Sequence, residues 1–329
     1  MASYNYLITG GAGYVGAELT DLLLKNGHNV KIVDTFYFET QFVENKNLTI
    51  SKKDVRNLEV LDFKNIDIVI DLASISNDPS GELNPYLTYK INGETRGRTA
   101  NLAKKAGVKG YILASSCSVY GFNNEVVDEN SSTNPLTTYA YANLLAEKLV
   151  KCLADSNFSV IIFRQATLFG SSKRMRTDLV VNGMTYSGLK NGKINILRNG
   201  EQKRPLLSLN ELNNRFLSIN EKVFKKQNKQ IFNIGNEDLN LEINSIYDIV
   251  NRVLGGKLEK NWYGEADYRS YEVDFSKSEN NLPKIEKTDM EFEIINIKNT
   301  FSEKNFEYSK SNTLGWYQGL IDKNPEILH

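Results

Sequence analysis

The sequence predicts an α/β protein with a doubly wound parallel sheet and a smaller mixed α/β lobe. Short runs of β-branched and aromatic residues alternate with helical stretches through the first half of the chain. Residues 68–72 and 111–114 are almost continuously apolar, as strands buried on both faces require. After about residue 165 the alternation gives way to mixed segments that are richer in Asn and Lys. These three observations carry the fold prediction.

The individual elements follow from local patterns. The β-branched and aromatic runs predict strands at 4–9, 30–34, 48–51, 68–72, 110–115 and 159–164. The stretches between them predict helices at 17–26, about 86–106 and about 138–155. We expect right-handed crossovers between the strands. We also expect residues 1–168 to form the domain with the parallel sheet, later segments to return to it, and residues 169–329 to form mainly the second lobe.

Composition excludes several classes of function. The 329 residues include 40 Lys and Arg and 40 Asp and Glu, so the formal net charge is zero and a strongly basic nucleic-acid binder is excluded. No apolar run approaches the roughly 20 residues that span a bilayer, and the chain starts without a signal-peptide pattern. We therefore expect a cytoplasmic protein that binds neither nucleic acid nor membrane. Two cysteines and two histidines are too few for a disulfide framework or a zinc cluster, so no metal site is expected.

The strongest local signal is the segment YLITGGAGYVG at residues 6–16, an apolar strand that breaks into glycines before a helix. Gly11, Gly13 and Gly16 satisfy GxGxxG, and Gly10, Gly13 and Gly16 satisfy GxxGxxG. Such a turn lets backbone N–H groups and the helix N-terminus approach a pyrophosphate, as in Rossmann dinucleotide-binding folds. Asp34 ends the second strand, where its carboxylate can accept bonds from a ribose and repel a 2′-phosphate. The pattern therefore predicts NAD rather than NADP.

Further motifs make the chain resemble an extended short-chain dehydrogenase/reductase of the NAD-dependent nucleotide-sugar epimerase/dehydratase family. The resemblance covers nearly the whole sequence. The matching pieces are Asp54-Val-Arg, Leu72-Ala-Ser, Asn92-Gly-Glu-Thr, Ser115-Ser-Cys-Ser-Val-Tyr-Gly, Tyr139-Ala-Tyr-Ala-Asn-Leu-Leu-Ala-Glu, Arg164-Gln-Ala-Thr-Leu-Phe-Gly and Arg204-Pro.

The resemblance implies an NAD-binding Rossmann domain, a lobe for the nucleotide-diphosphate sugar, and a homodimer formed through the helices at about 86–106 and 138–155. It places Asp54 and Val55 at the adenine and residues 72–74 along the cofactor channel. The expected cofactor-binding residues are Gly10, Gly13, Tyr14, Val15, Gly16, Asp34, Asp54, Val55, Leu72, Ala73, Ser74, Tyr139, Asn143 and Gln165.

The same resemblance assigns catalysis to Ser116, Tyr139 and Asn143. Tyr139 aligns with the tyrosine that accepts a sugar hydroxyl proton while hydride moves to nicotinamide, which requires its pKa, near 10 in water, to be lowered. The family pattern is Tyr-x-x-x-Lys, yet the residue four after Tyr139 is Asn143. Three explanations stay open: the charge of oxidised nicotinamide suffices, Lys148 or another cation folds in, or the protein binds NAD without turnover. The missing positive charge predicts that Asn143→Lys raises the oxidation rate at neutral pH and moves its pH profile to lower values.

Several residues are expected at the substrate. The resemblance places arginines and one asparagine at the diphosphate, and Gln165 and Thr167 facing the nicotinamide and sugar. Cys117 is expected to be a small buried residue rather than a nucleophile. The expected substrate-binding residues are Ser76, Asn77, Ser116, Cys117, Thr167, Arg174, Arg176, Asn182, Arg204 and Arg269.

The residues that follow the expected catalytic serine indicate the class of reaction. Related sugar 4,6-dehydratases carry an Asp-Glu pair after the catalytic Thr, where this chain has Cys117 and Ser118. Dehydration is therefore disfavoured. Oxidation at C4 of a nucleotide-diphosphate sugar is the predicted step, in a 4-epimerase or a 4-dehydrogenase of surface-polysaccharide biosynthesis. The alternative is a catalytically impaired regulatory or scaffold protein of the same fold, for which Asn143 is the best evidence.

Overall fold

The computed structural model describes residues 3–265, 270–304 and 306–324. The strands are β1 Asn5–Thr9, β2 Asn29–Asp34, β3 Leu48–Lys52, β4 Ile68–Asp71, β5 Gly110–Ser116, β6 Val126–Val127, β7 Ser159–Gln165, β8 Thr167–Phe169, β9 Lys193–Leu197, β10 Lys203–Ser208, β11 Gln230–Ile234, β12 Asn240–Glu242, β13 Glu259–Tyr263 and β14 Glu272–Val273. The helices are α1 Tyr14–Lys25, α2 Asp78–Gly81, α3 Pro85–Tyr89, α4 Arg96–Lys105, α5 Thr138–Lys151, α6 Val180–Asn191, α7 Leu209–Leu217, α8 Glu221–Lys226, α9 Ile243–Val253, α10 Ser276–Asn281, α11 Met290–Phe301, α12 Tyr308–Ser311 and α13 Thr313–Lys323.

Seven parallel strands form the main sheet in the order β3-β2-β1-β4-β5-β7-β11. All four residues of β4 are buried, which explains why its sequence is apolar without alternation. Two apolar cores, one on each face, cover the sheet. The prediction of a doubly wound parallel sheet is confirmed. The strand order reverses between β1 and β4, the place where α/β folds of this kind bind ligands at the carboxyl ends of the strands.

The later part of the chain contributes to both regions of the protein. Strand β11 pairs with β7 and so extends the main sheet. The remaining strands form a three-stranded sheet, β12-β10-β8, and the pairs β13–β9 and β14–β6. Helices α6, α9 and α11 pack on these strands around a third apolar core. This lobe stands beside the carboxyl edge of the main sheet, since the Tyr14 hydroxyl at the start of α1 donates to the Gly170 carbonyl at 2.8 Å.

The predicted helix at about 86–106 has three parts. Helix α3 leads into a π-helical stretch, Lys90–Thr95, which continues directly into α4. Asn92 in that stretch bonds both backbone groups of Ile75, at 2.8 and 3.0 Å, and so fixes the loop after β4. Across the described ranges, every helix is too short or too polar to cross a membrane.

Candidate functional site

The glycine turn after β1 is built for close approach. Gly10 has φ +68°, and a Cβ there would lie 2.9 Å from the backbone of Leu72 and Ala73. A Cβ on Gly16 would lie 2.5 Å from the Gly10 carbonyl oxygen. Helix α1 follows Gly13, and no side chain caps its first turn. Its first N–H groups are therefore available to an anion, which is the geometry that a dinucleotide pyrophosphate needs.

A first cavity runs from this turn across the carboxyl ends of β1, β2 and β4. Every predicted cofactor-binding residue lines it except Asn143. The Asp34 carboxylate accepts bonds from the backbone N–H groups of Ala12, at 3.0 Å, and Phe36, at 2.7 Å. Burial raises the pKa of Asp34. Since a carboxylate offers about four acceptor positions, Asp34 keeps capacity for ribose hydroxyls.

Helix α13 closes one side of this cavity. Tyr317 lines it and meets the Phe38 ring edge-on at 5.5 Å between centroids. The Trp316 indole N–H donates to the Tyr37 carbonyl at 2.8 Å, which fixes the helix to the loop after β2. Sequence reasoning did not include Tyr317, because no motif signals a contact across some 280 residues of chain.

Arg174 lies in the wall of the first cavity and not of the second, where it was expected to hold the substrate diphosphate. Two local bonds explain this position. The Ser172 hydroxyl donates to the Tyr14 carbonyl, and the Lys173 N–H donates to the Glu18 carboxylate. Both bonds anchor the segment that carries Arg174 on α1. The guanidinium stacks 3.6 Å from the Phe38 ring centroid, and one amino group donates to Thr313. Its Nη1 has no partner among the described residues, and burial lowers the pKa of Arg174 to about 9. A buried cation with an unused donor fits an anionic ligand in this cavity.

A second cavity adjoins the first on the side of the smaller lobe. Five of the expected substrate residues line it: Asn77, Ser116, Thr167, Arg176 and Arg204. Ser76 lines the first cavity instead. The Nε2 atom of Gln165, the Oγ of Ser118 and the Oε1 of Gln202 line this cavity without any bonding partner in the described parts of the chain. Sequence reasoning named Gln165 but missed Ser118 and Gln202 as site residues: Ser118 lies in a recognised motif but was considered only as a replacement of an acidic residue, and Gln202 lies in no motif.

Tyr139 and Arg176 line both cavities and so mark their junction. The Tyr139 hydroxyl is hydrogen-bonded to Ser116. Burial raises the pKa of Tyr139 above its ordinary value and Asp78 adds to the rise, while Arg96, Arg176 and the Ser116 bond act to lower it. Arg176 is itself paired with Asp178, whose pKa is held well below its usual range because that pairing outweighs burial.

Three expected site residues lie elsewhere. Asn143 is buried beneath the first cavity, where its amide bonds Arg96 at 3.1 Å and the Tyr139 carbonyl at 3.0 Å. Cys117 is completely buried under the second cavity, with its thiol on the Arg164 carbonyl, and burial raises its thiol pKa. Asn182 is buried and holds the backbone of Gly170 and Arg176 in place of a ligand. Arg269 lies outside the described residues.

Comparison with known proteins identifies the family. A model of the NAD dependent epimerase/dehydratase family matches residues 6–235, more than half of the chain. An uncharacterized UDP-glucose epimerase of Bacillus subtilis, YtcB, is 28% identical over 214 residues, which are 60% of this chain and 66% of that protein. UDP-glucuronic acid decarboxylase 1 of Danio rerio is 30% identical over 226 residues, 65% of this chain and 53% of that protein. The chain thus spans between half and two thirds of the length of these curated relatives.

A solved structure shares the fold. The UDP-glucuronic acid 4-epimerase from Bacillus cereus, in complex with UDP-glucuronic acid and NAD, superposes with a TM-score of 0.80 at 21% identity. The match covers 90% of this chain and 98% of that one. NAD is the cofactor of the family, and the first cavity, with its uncapped helix and its unpaired arginine, has the donors that a dinucleotide needs. The chain belongs to the NAD dependent epimerase/dehydratase family.

Proposed function

We propose that the protein oxidises C4 of a nucleotide-diphosphate sugar with NAD, as a 4-epimerase or a 4-dehydrogenase. One observation carries this proposal: the Ser116–Tyr139 pair stands where the first cavity meets the second. A proton acceptor at that junction is within reach of a group bound in either cavity. The setting in surface-polysaccharide biosynthesis rests on the family resemblance alone.

When bound in the first cavity, NAD would supply the acceptor and donor of a hydride for the sugar carbon. The side chains of this protein supply the rest. In its ionised form, Tyr139 takes the proton of the sugar hydroxyl, and the Ser116 hydroxyl holds the phenol in position. Burial of the phenol keeps competing water away but also disfavours its charge, so nearby cations are needed.

The proposed substrate contacts lie in the second cavity. Arg176 and Arg204 have the planar donor geometry that suits diphosphate oxygens. Ser118 and Gln202 offer unused polar atoms for sugar or nucleotide hydroxyls. Thr167 and Asn77 complete the set of proposed contacts. No Asp-Glu pair follows Ser116, which supports oxidation without dehydration.

The function is tested by incubating purified protein with UDP-, GDP- and dTDP-sugars while following nicotinamide absorbance and product identity. A 4-epimer without net cofactor reduction identifies an epimerase, and stoichiometric reduction with a keto-sugar identifies a dehydrogenase. If every sugar gives neither product nor reduction, the proposal fails and the scaffold alternative stands.

Arg174 is proposed to bind the diphosphate of NAD, and this gives a separate prediction. Arg174→Met should raise the NAD dissociation constant about 10- to 100-fold, because a hydrogen bond to a charged group contributes about 1.5–3 kcal/mol. Titration calorimetry of NAD-free protein measures the change.

The matched control is Arg252→Met, since Arg252 is exposed and pairs with Glu291 on the lobe surface. Its NAD affinity should equal that of the unmodified protein. If Arg174→Met instead weakens UDP binding and leaves NAD affinity intact, Arg174 serves the substrate as the sequence alone predicts.

We also propose a homodimer formed through the helices at about 86–106 and 138–155. Tyr86 and Tyr89 on α3 support this, since both present large exposed aromatic surfaces. Light scattering of the purified protein tests it, and a monomeric mass at micromolar concentration excludes it.

A further inference from the structure

The position that carries Lys in related proteins is occupied by a buried amide in contact with a buried cation. The Arg96 guanidinium donates from Nη1 to the Asn143 side-chain oxygen at 3.1 Å. Both residues are almost fully buried, at 2% and 1% exposure. Asn143 in turn donates to the carbonyl of Tyr139 at 3.0 Å. A guanidinium therefore lies one side chain away from the backbone of Tyr139, the residue that carries the proposed proton acceptor.

Other bonds fix the guanidinium at the floor of the first cavity. Its Nη2 donates to the carbonyls of Asp71, at 2.6 Å, and Ala114, at 2.7 Å. Its Nε faces the Asp71 carboxylate at 3.2 Å. The same carboxylate accepts bonds from Thr9 and Tyr111, both at 2.6 Å, on its other sides. The carboxylate is thus shared among three donors, while the Nη1 edge of Arg96 faces Asn143.

The backbone of this region brings Arg96 to that position. Arg96 follows the π-helical stretch directly, and such stretches change the direction in which the next side chains leave a helix. Glycines flank it on the side of α5: a Cβ on Gly93 would lie 2.8 Å from Leu145, and one on Gly97 would lie 2.8 Å from Leu149. The two helices can therefore approach closely enough for Arg96 to reach beneath Tyr139.

The other cation considered from the sequence does not reach this place. Lys148 is exposed on the outer face of α5. Arg176 also acts on Tyr139, but it lies at the junction of the cavities, where it is proposed to contact the substrate.

We propose that Arg96, acting through Asn143, is the positioning residue that supplies the positive charge for ionisation of Tyr139 in place of a lysine on α5. This inference rests on the proposed function, in which Tyr139 accepts the hydroxyl proton. It also explains why an amide suits position 143: a neutral acceptor bonds the guanidinium, whereas an ammonium would repel it.

The charge balance at Tyr139 includes groups from every element around it. Asp78 on α2 opposes ionisation and is itself bonded by Thr137 at 2.6 Å. Arg96 and Arg176 favour ionisation, and Ser116 bonds the hydroxyl. Further neighbours among the described residues are Tyr271, the carboxylates paired with the two arginines (Asp71 with Arg96 and Asp178 with Arg176), and Glu82, which accepts the Thr138 N–H.

The expected effect of Asn143→Lys is therefore the reverse of the one drawn from the sequence. In the presence of Arg96 the new ammonium meets a guanidinium, and the oxidation rate should fall. In the double variant Asn143→Lys/Arg96→Met, the ammonium replaces the positive charge of the lost guanidinium. Its oxidation rate should therefore exceed that of both single variants. The proposal is wrong if Asn143→Lys alone raises the oxidation rate and the double variant with Arg96→Met is no faster than Asn143→Lys alone.

A direct test measures the phenol rather than turnover. NAD-loaded protein containing ring-labelled tyrosine is titrated by NMR, and the Tyr139 signal is the one missing from Tyr139→Phe. Because Arg96→Met alone would strand the Asp71 carboxylate, the variant used is Asp71→Asn with Arg96→Met. Loss of the cation disfavours the phenolate, so the Tyr139 pKa should rise by about one unit, a tenfold change in ionisation. The acidic limb of the oxidation profile should move to higher pH by the same amount, with KM unchanged.

Two further variants separate charge from structure. The double variant Glu147→Gln/Arg164→Met removes another buried ion pair, which joins α5 to β7. It should leave the Tyr139 pKa unchanged. Arg96→Lys keeps the positive charge. Its Tyr139 pKa should lie between that of the unmodified protein and that of Asp71→Asn/Arg96→Met. An unchanged Tyr139 pKa in Asp71→Asn/Arg96→Met overturns the proposal even when a sugar is turned over. If no sugar is turned over, the proposed function fails, and the titration still decides the role of Arg96.

Discussion

Tyr139→Phe should lower the rate of sugar oxidation by about 10²- to 10⁴-fold, the range that one positioned acid–base group contributes. The phenylalanine ring keeps the packing against the Gly81 side of the pocket but has no proton acceptor for the sugar hydroxyl. NAD affinity should change little, because the pyrophosphate and adenosine contacts lie elsewhere in the first cavity. Single-turnover reduction of bound NAD by the active sugar measures the rate.

Tyr141→Phe is the matched control for this substitution. Tyr141 lies on the same helix but is 54% exposed and lines neither cavity. Its removal should leave the rate unaltered. Equal losses in the two variants would mean that the helix, and not the phenol of Tyr139, is responsible. Full activity of Tyr139→Phe would require a different proton acceptor.

Glu147→Ala should lower the free energy of unfolding by about 3–5 kcal/mol, the usual result of removing one partner of a buried ion pair. The Glu147 carboxylate accepts two bonds from the Arg164 guanidinium, at 3.0 and 2.7 Å, and one from the Ser115 hydroxyl at 2.5 Å. Both charged side chains are at most 5% exposed. Without Glu147, the Arg164 charge stays buried, and within the described part of the chain its guanidinium keeps the bond to the Tyr120 hydroxyl at 3.0 Å. Urea unfolding of NAD-free protein, followed by circular dichroism, gives the change.

Glu221→Ala provides the comparison, because Glu221 pairs with Lys225 on an exposed turn of α8. It should unfold at the same urea concentration as the unmodified protein. The double variant Glu147→Gln/Arg164→Met should recover most of the lost stability, since no charge is then left unpaired. If Glu147→Ala is as stable as the unmodified protein, water reaches the Arg164 guanidinium.

The parallel sheet was predictable from sequence because its central strands are buried on both faces. Residues 110–115 were predicted as a strand, and β5 is Gly110–Ser116. The pairing of β9 with β13 was not predictable, because it joins short segments more than 60 residues apart, and β13 is largely exposed. The π-helical stretch before Arg96 was missed for another reason: no sequence pattern distinguishes it from the helix around it, and it packs against α5.

The glycine turn and Tyr139 could be assigned from sequence because each belongs to a continuous motif. Arg96 could not, since 47 residues separate it from Asn143. A signal was nevertheless present: an arginine beside Gly97 and three residues after Gly93, on the face of a helix that packs closely on another. Asn182 was assigned to the substrate from the family resemblance, but its amide bonds the Gly170 and Arg176 backbone and the Tyr14 hydroxyl.

Helix α13 gives the protein a particular order of assembly during synthesis. A ribosome releases the glycine turn and β2 early, yet Tyr317 and the Trp316 bond to Tyr37 become available only some 280 residues later. Until then, the end of the first cavity that is proposed to hold the adenosine is open on one side. A nascent chain should therefore hold the dinucleotide weakly even though its sheet has folded. Cofactor retention therefore reports that the helix carrying Tyr317 has left the ribosome and docked.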